Sequence, residues 1–421
     1  MAELYRDNRT FFGVEDDTWI ALAIWAILTQ IGFLNSINGL VEVITTTNIW
    51  WDTALLRAVF AAFILIGTMC SIKRMERRVF VLVILIALLW IISFSTNENA
   101  RMLLKIYYFE SVMVYGLCGM MCVGHFNNWE RFIKIGFWFI TLGFIFFIPL
   151  TFQIIMGESN QNYMSFSYNN IVFVVGAFWL GIRRRNILMF ILGGVGTILI
   201  VIGGCRGAVV CIAAYVILEF VLNKKIHILA KIAFVIAIIA LYMNLERLIL
   251  ELDAILKNFD YDSRTVKLFL EGKLESDSGR SNFFGGAIEI IKDSPIIGRG
   301  MAGASRFLFK ELYGAEPYLI QHTYSHNLFL ELWMEYGVIL GTFFIGWIIV
   351  SIITGCIKNR ETGNDCILYF LVAITIPKLM VTATYLTEIP FFLLLGLLVN
   401  LNCYHKEIPW EPKKGETAND R

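Results

Sequence analysis

Apolar runs about as long as a bilayer core is thick recur along most of this chain, and no other feature restricts its fold so tightly. Examples are "AVFAAFILIGTMCSI" (58–72), "VFVLVILIALLWIISF" (79–94) and "ILMFILGGVGTILIVI" (187–202). A membrane span needs roughly 20 mainly apolar residues. In lipid every backbone polar group must be paired within its own segment, which makes such runs helices. Only 16% of the residues are charged, against about a quarter in soluble domains. The chain therefore reads as an all-α polytopic membrane protein. Its apolar runs place helices near 19–37, 55–72, 79–95, 106–124, 134–156, 168–182, 187–203, 207–222, 226–244, 326–353, 365–383 and 387–402. That is about twelve transmembrane helices.

Lys and Arg in the short loops set the expected orientation. Alternate connections hold "KRMERR" (73–78), Arg131 with Lys134, "RRR" (183–185), Lys224 with Lys225, and Lys358 with Arg360, while 38–54 and 157–167 hold neither residue type. The first set is expected to be cytoplasmic, with both termini inside and residues 245–325 forming one large extracytoplasmic loop. The N-terminal "MAELYRDNRTFFGVEDD" is polar and mixed in charge, unlike a cleavable signal, so the first helix is expected to stay. Four parts follow: N-terminal membrane helices (1–244), the loop (245–325), C-terminal membrane helices (326–402) and a cytoplasmic tail (403–421). A loop of this length exceeds ordinary connections and points to function. Within it, "LERLILELDAILKNF" has the spacing of an interfacial helix, and "RSNFFGGAIEIIKDSP" reads as a second helix ending before Pro295. "PIIGRG" (295–300) supplies turn residues.

A net charge of +1 gives no global field for nucleic acid or an acidic partner. Of the eight cysteines none lies in 245–325, which excludes a disulfide-stapled exterior. "HTYSH" (322–326) pairs His322 with His326, but no Glu stands between them and no third ligand is apparent, so a metal site is not expected. "DYD" (260–262) reads as a solvated turn.

Three residues of the expected outer face carry chemistry. Arg206, in "GGCRGAVV", sits among Gly203, Gly204 and Gly207 at the start of an inward-running helix, where backbone N–H groups favour an anion. Its alternative is an arginine snorkelling to lipid headgroups. Arg280, in "SDSGRSNF", can grip phosphate through two parallel hydrogen bonds, although alone it is an ordinary exposed arginine. His326 opens the tenth helix, with Ser325 as the expected N-cap. A helix N-terminus favours the neutral imidazole that a general base needs. The alternative is a structural histidine at the membrane edge. Asn327, Glu331 and Glu335 fall on one helical stripe, and Lys378 is a candidate partner for the two carboxylates. Arg57, Arg101 and Lys105 also lie near the expected outer surface.

Together these pieces resemble the O-antigen polymerase and O-antigen ligase superfamily of bacterial envelope glycosyltransferases. The resemblance rests on many spans, a large outward loop before the last helices, Arg206-Gly207, "SGR" (278–280), "PIIGRG", and His326-Asn327 followed by Gly337. It is strongest from about 200 to 345. Where family members carry a small or β-branched residue three positions after that glycine, this chain has Leu340.

The resemblance implies a GT-C-like, metal-independent, inverting enzyme without cofactor, in the bacterial cytoplasmic membrane, acting on its outer face. The donor would be an undecaprenyl-pyrophosphate-linked oligosaccharide, and the product O-antigen or capsular polysaccharide. Arg206 and Arg280 would hold the pyrophosphate, His326 would serve the acceptor, and Asn327, His322, Arg101 and Arg57 would bind substrate. A chain-length regulator is the implied protein partner. A ligase passing finished glycan to a lipid core or protein is the nearest rival. A transporter or lipid-linked oligosaccharide flippase is the rival from another class, with Glu110, Glu219 and Lys378 as its intramembrane charges.

Overall fold

The computed structural model describes residues 10–45, 53–156, 163–222, 228–259, 261, 263–271, 280–314, 323–358 and 365–403. A two-residue hairpin, β1 (Thr10–Phe11) with β2 (Val14–Glu15), leads into α1 (Asp16–Thr45). Then come α2 (Ala54–Ile72) and α3 (Arg77–Thr96). A continuous helical run follows, composed of α4 (Glu98–Leu103), a π-helical stretch (Leu104–Gly116) and α5 (Leu117–Val123). Next are α6 (Trp129–Ile155), α7 (Tyr163–Arg184), α8 (Ile187–Ile202), α9 (Arg206–Leu222) and α10 (Ile228–Met243). Four short helices occupy the long polar segment: α11 (Leu245–Lys257), α12 (Arg264–Leu270), α13 (Arg280–Asp293) and α14 (Ser305–Tyr313). The chain closes with α15 (Leu328–Lys358), α16 (Asp365–Val381) and α17 (Ile389–Cys403).

Among the described residues, seven helices are long and apolar enough to cross a membrane: α1, α2, α3, the 98–123 run, α6, α7 and α15. The expected count of about twelve also included α8, α9, α10, α16 and α17. These run to 16, 17, 16, 17 and 15 residues, or about 22–26 Å at 1.5 Å per residue, short of a core of roughly 30 Å.

Asparagine sets several helix starts. Asn97, Asn128 and Asn186 each turn a side-chain oxygen onto a first-turn N–H, of Ala100 (3.1 Å), Arg131 (3.3 Å) and Leu188 (2.9 Å) respectively. The largest core cluster is aromatic. Trp25 stacks on Phe132 with centroids 4.7 Å apart and donates to its carbonyl at 2.8 Å; Trp179 stacks on Phe370 at 5.6 Å. Such rings fill large volumes between helices. A second core cluster joins the 98–123 run to α15 and α17 through Tyr108, Leu332, Tyr385 and Phe392.

The two ends of the bundle differ in chemistry. At one, Arg74 pairs with Asp17 (2.7 Å) and Arg131 with Glu15 (2.9 Å), while Asn128 donates to Asp17 at 3.2 Å. This joins the start of α1 to two of the Lys/Arg-bearing loops. At the other, the turn after α3 meets the 295–305 segment: Asn97 Nδ2 donates to the Arg299 carbonyl at 2.7 Å and Arg306 to Asn99 Oδ1 at 2.8 Å.

Candidate active site

The helix carrying the histidine motif is broken. Gly337 has φ 76° and ψ 168°, so α15 consists of two helical pieces, 328–336 and 338–358. The groups freed by the break are taken by the 295–300 loop. Arg299 N–H donates to Met334 O and Gly300 N–H to Glu335 O, both at 2.8 Å, and Val338 N–H donates to Pro295 O at 2.7 Å. Backbones can approach this closely because Gly298 and Gly300 also take positive φ (74° and 77°), which costs glycine nothing. "PIIGRG" and the motif glycine are therefore one structural unit.

At the head of α15 the N-cap is Asn327, not Ser325 as the sequence suggested. Its Oδ1 accepts from Phe329 N–H (3.0 Å) and Leu330 N–H (3.2 Å), while Ser325 Oγ donates to the Asn327 carbonyl at 2.9 Å. His326 consequently stands just outside the helix, with φ 56°. A non-glycine residue in that region is strained and is held there by its surroundings. Its Nδ1 lies 2.9 Å from the Thr382 carbonyl. Its ring packs edge-on against Phe283 of α13 (centroids 4.9 Å) and against Tyr324 (4.4 Å). A carbonyl accepts only, so the neutral ring carries its proton on Nδ1 and keeps the Nε2 lone pair free. Burial lowers the imidazole pKa below its ordinary value, the Thr382 bond opposes this, and the Arg280 cation reinforces it. Burial pushes the Tyr324 phenol up to about 12, so it remains a donor.

Thr382 opens the turn between α16 and α17, and this turn is the hub of the site. Tyr168 on α7 hydrogen-bonds Thr382 Oγ1 at 2.8 Å. Gly207 lies under the same hydroxyl: a Cβ there would come 1.8 Å from Tyr168 Oη, so a side chain at that position would displace the tyrosine. Further along, Thr384 Oγ1 donates to Glu331 Oε1, and Tyr385 Oη donates to Glu335 Oε2. Glu335 Oε1 also accepts from Ala302 N–H at 2.7 Å, and Ser111 donates to the Leu386 carbonyl at 2.6 Å.

His326 and Gly207, the neighbour of Arg206, thus both meet the Thr382 turn, and Arg280 opens the helix whose Phe283 packs on the His326 ring. Other candidates are engaged elsewhere. Arg101 directs Nε and an Nη to the carbonyls of Phe94 and Ser95 (3.0 and 3.2 Å), closing the end of α3. Arg57 reaches Oγ1 of Thr53, the residue just before its own helix, at 3.5 Å. His322, Asp260 and Asp262 lie outside the described residues. Lys378 does not pair with Glu331 or Glu335. It binds Glu388 at 2.6 Å and lies over the Tyr168 ring at 5.0 Å, while Glu331 takes the Thr384 hydroxyl and Glu335 takes the Tyr385 hydroxyl and the Ala302 amide. Among the described residues no group of three or more His, Cys, Asp or Glu is placed to hold a metal.

Sequence reasoning passed over Tyr168, Thr382, Thr384 and Tyr385. The last three had a signal: "TATYLTE" (382–388) puts three threonines, a tyrosine and a glutamate between two apolar helices, where a plain connector has no use for them. Beside the hub, an apolar groove of about 400 Å³ runs along α3 from Arg78 to Leu89, walled by Trp347 and Leu395 and closed by Met301, Tyr336 and Tyr385.

Residues 145–345 match the family model described as O-antigen ligase, a stretch containing Arg206, Arg280, His326, Asn327 and Gly337 but not the Thr382 turn. No curated protein matches the chain.

Proposed function

We propose, for a chain whose residues 145–345 belong to the O-antigen polymerase and ligase superfamily, that the protein polymerises lipid-linked oligosaccharide repeat units. The donor is an oligosaccharide on a polyprenyl pyrophosphate, presented at the extracytoplasmic face of the cytoplasmic membrane. A hydroxyl of the acceptor glycan attacks the anomeric carbon of the donor. The bond from that carbon to the pyrophosphate oxygen breaks, its electron pair leaves on the phosphate, and the hydroxyl proton passes to His326 Nε2. Configuration at the anomeric carbon inverts in one such displacement.

The observation that supports this reading is that His326 and Gly207, next to Arg206, both meet the Thr382 turn, while Arg280 lies on the helix that packs against the His326 ring. Two guanidiniums beside the leaving oxygen stabilise charge that develops only in the transition state, worth about 3–4 kcal/mol per well-placed donor. A base within reach of the attacking hydroxyl contributes roughly 10²–10⁴-fold. The apolar groove beside Tyr385 suits the polyprenyl tail, whose isoprene units need no polar partner. Asn327 spends its amide oxygen on the helix cap, so its part in substrate binding falls to the rest of the side chain.

The ligase is the second reading, favoured by the description of the matching family. Both enzymes share the donor chemistry and differ in the acceptor. The glycans of a deletion strain, complemented with wild type or His326→Ala, separate the two. Single attached units without long chains indicate a polymerase. Long chains stranded on the lipid carrier indicate a ligase. A normal profile in the deletion strain overturns both and favours a transporter.

A further inference from the structure

Glu331 and Glu335 are each 3% exposed, and no cation answers them among the described ion pairs. Burying carboxylates is costly unless each is hydrogen-bonded for a purpose. Both face the same object. Glu331 Oε1 receives the Thr384 hydroxyl and Glu335 Oε2 receives the Tyr385 hydroxyl, consecutive residues of the turn whose Thr382 carbonyl contacts His326. The hydroxyls themselves are fixed from behind. Thr384 Oγ1 accepts from Leu386 N–H at 3.2 Å, and Tyr385 Oη lies 2.8 Å from Tyr336 Oη. The remaining groups around the pair are also phenols, Tyr108 and Tyr324, while Lys378 is occupied by Glu388.

We propose that Glu331 and Glu335 are positioning residues for His326: through Thr384 and Tyr385 they hold the 382–388 turn at the height where the Thr382 carbonyl fixes the imidazole tautomer. Neither carboxylate touches substrate. The arrangement explains why the carboxylates lie four residues apart. One helical turn separates them along α15, and each meets one of two adjacent residues of the turn. It also explains why the site tolerates a histidine with positive φ. The ring is held from the Thr382 side by a carbonyl that is itself braced at two points. Loss of either brace lets the carbonyl retreat, and a small misplacement of a catalytic group costs far more in rate than in binding.

The inference rests on the role of His326 as base, and the experiment separates the two. The lipid-linked glycan that accumulates in the deletion strain is the probe. Its turnover is followed with the purified full-length chain in nanodiscs, between pH 5 and 8. Glu331→Leu and Thr384→Val are each expected to lower kcat roughly tenfold to a hundredfold with KM changed less than about twofold. The double variant is expected to be no worse than either single one, since both remove the same contact. Glu331→Gln keeps an acceptor oxygen for Thr384 and Thr384→Ser keeps the hydroxyl, and each is expected to restore most of the rate. Because the Thr382 bond raises the imidazole pKa, its loss in Glu331→Leu moves the acid limb of kcat to lower pH. Tyr385→Phe is expected to act in the same direction through Glu335. Unchanged kcat in Glu331→Leu, additive losses in the double variant, or a Glu331→Gln as slow as Glu331→Leu each overturn the positioning role while leaving the base in place. A His326→Ala variant at wild-type rate overturns the base, and the positioning role with it.

Discussion

Gly298 and Gly337 face each other with no room for a side chain between them. A Cβ on Gly298 would come 2.5 Å from Gly337 N, and one on Gly337 would come 2.1 Å from the Ile296 carbonyl oxygen. Both residues have positive φ, so each is glycine for conformation as well as for space.

Alanine at either position therefore meets two penalties. A positive φ of this kind costs about 1–3 kcal/mol in a residue with Cβ, and the clash is with backbone, which does not yield as a side chain does. Gly337→Ala and Gly298→Ala are each expected to lower the unfolding temperature in detergent by several degrees and to abolish activity. Gly285, which has open space around its Cβ position, is the control: Gly285→Ala is expected to leave both unchanged.

As the proposed base, His326 acts when neutral, so activity is expected above its pKa and is expected to be lost as pH falls through it. Burial and Arg280 hold that pKa below 6.5, and the acid limb of kcat/KM is expected below 6.5 as well. Arg280→Gln removes one of the two lowering influences. It is expected to reduce kcat/KM by about tenfold or more and to shift the limb upward. A limb that stays in place when Arg280 is replaced would show that the guanidinium is not near the ring.

His125 provides a pH-dependent stability at the other end of the bundle. It lies in the short loop before α6, is 6% exposed, and burial drives its pKa down to about 4. The unfolded chain takes up a proton near 6.5 and the folded chain only near 4, so stability contributed by the neutral ring is full above 6.5 and is lost as pH falls through that window. The span corresponds to roughly 3 kcal/mol at 1.36 kcal/mol per unit. His125→Gln is expected to flatten the thermal-stability profile between pH 6.5 and 4.

Lys378 and Glu388 form an ion pair at 2.6 Å with side chains 15% and 8% exposed. Removing one partner leaves a buried charge, at a cost of about 3–5 kcal/mol, whereas replacing both costs much less. Lys378→Met is expected to unfold at a markedly lower temperature than Lys378→Met/Glu388→Gln. Equal melting of the two variants would mean that the pair contributes nothing through its charge.

Much of this site was legible as residue types in order. Arg206-Gly207, Arg280, "PIIGRG" and His326 through Gly337 lie in the stretch that the family model matches, and the four-residue spacing of Asn327, Glu331 and Glu335 gave their common stripe. What joins them was not legible, because it is tertiary. Nothing in "PIIGRG" says that its amides fill the gap left by Gly337, two helices away. Ser325 and Asn327 are equally good caps by type. The choice between them follows from the left-handed turn at His326, which the Thr382 contact helps to hold. The assignment of Lys378 to the two glutamates failed for a similar reason. Lys378 pairs instead with Glu388 of the 382–388 turn, which reads in sequence as a short connector.

The break at Gly337 also changes how the last part of the chain measures against a bilayer. As one rod, the 31 residues of α15 would reach about 46 Å, half again the roughly 30 Å of hydrocarbon. The piece 338–358 alone is about 31 Å long and fills that thickness by itself. The piece 328–336 is then surplus to the crossing and free to lie at the headgroup level. Glu331 and Glu335, which hydropathy alone would immerse in lipid, need only be shielded by protein, and their burial reflects how the chain folds over them instead of how deep they sit.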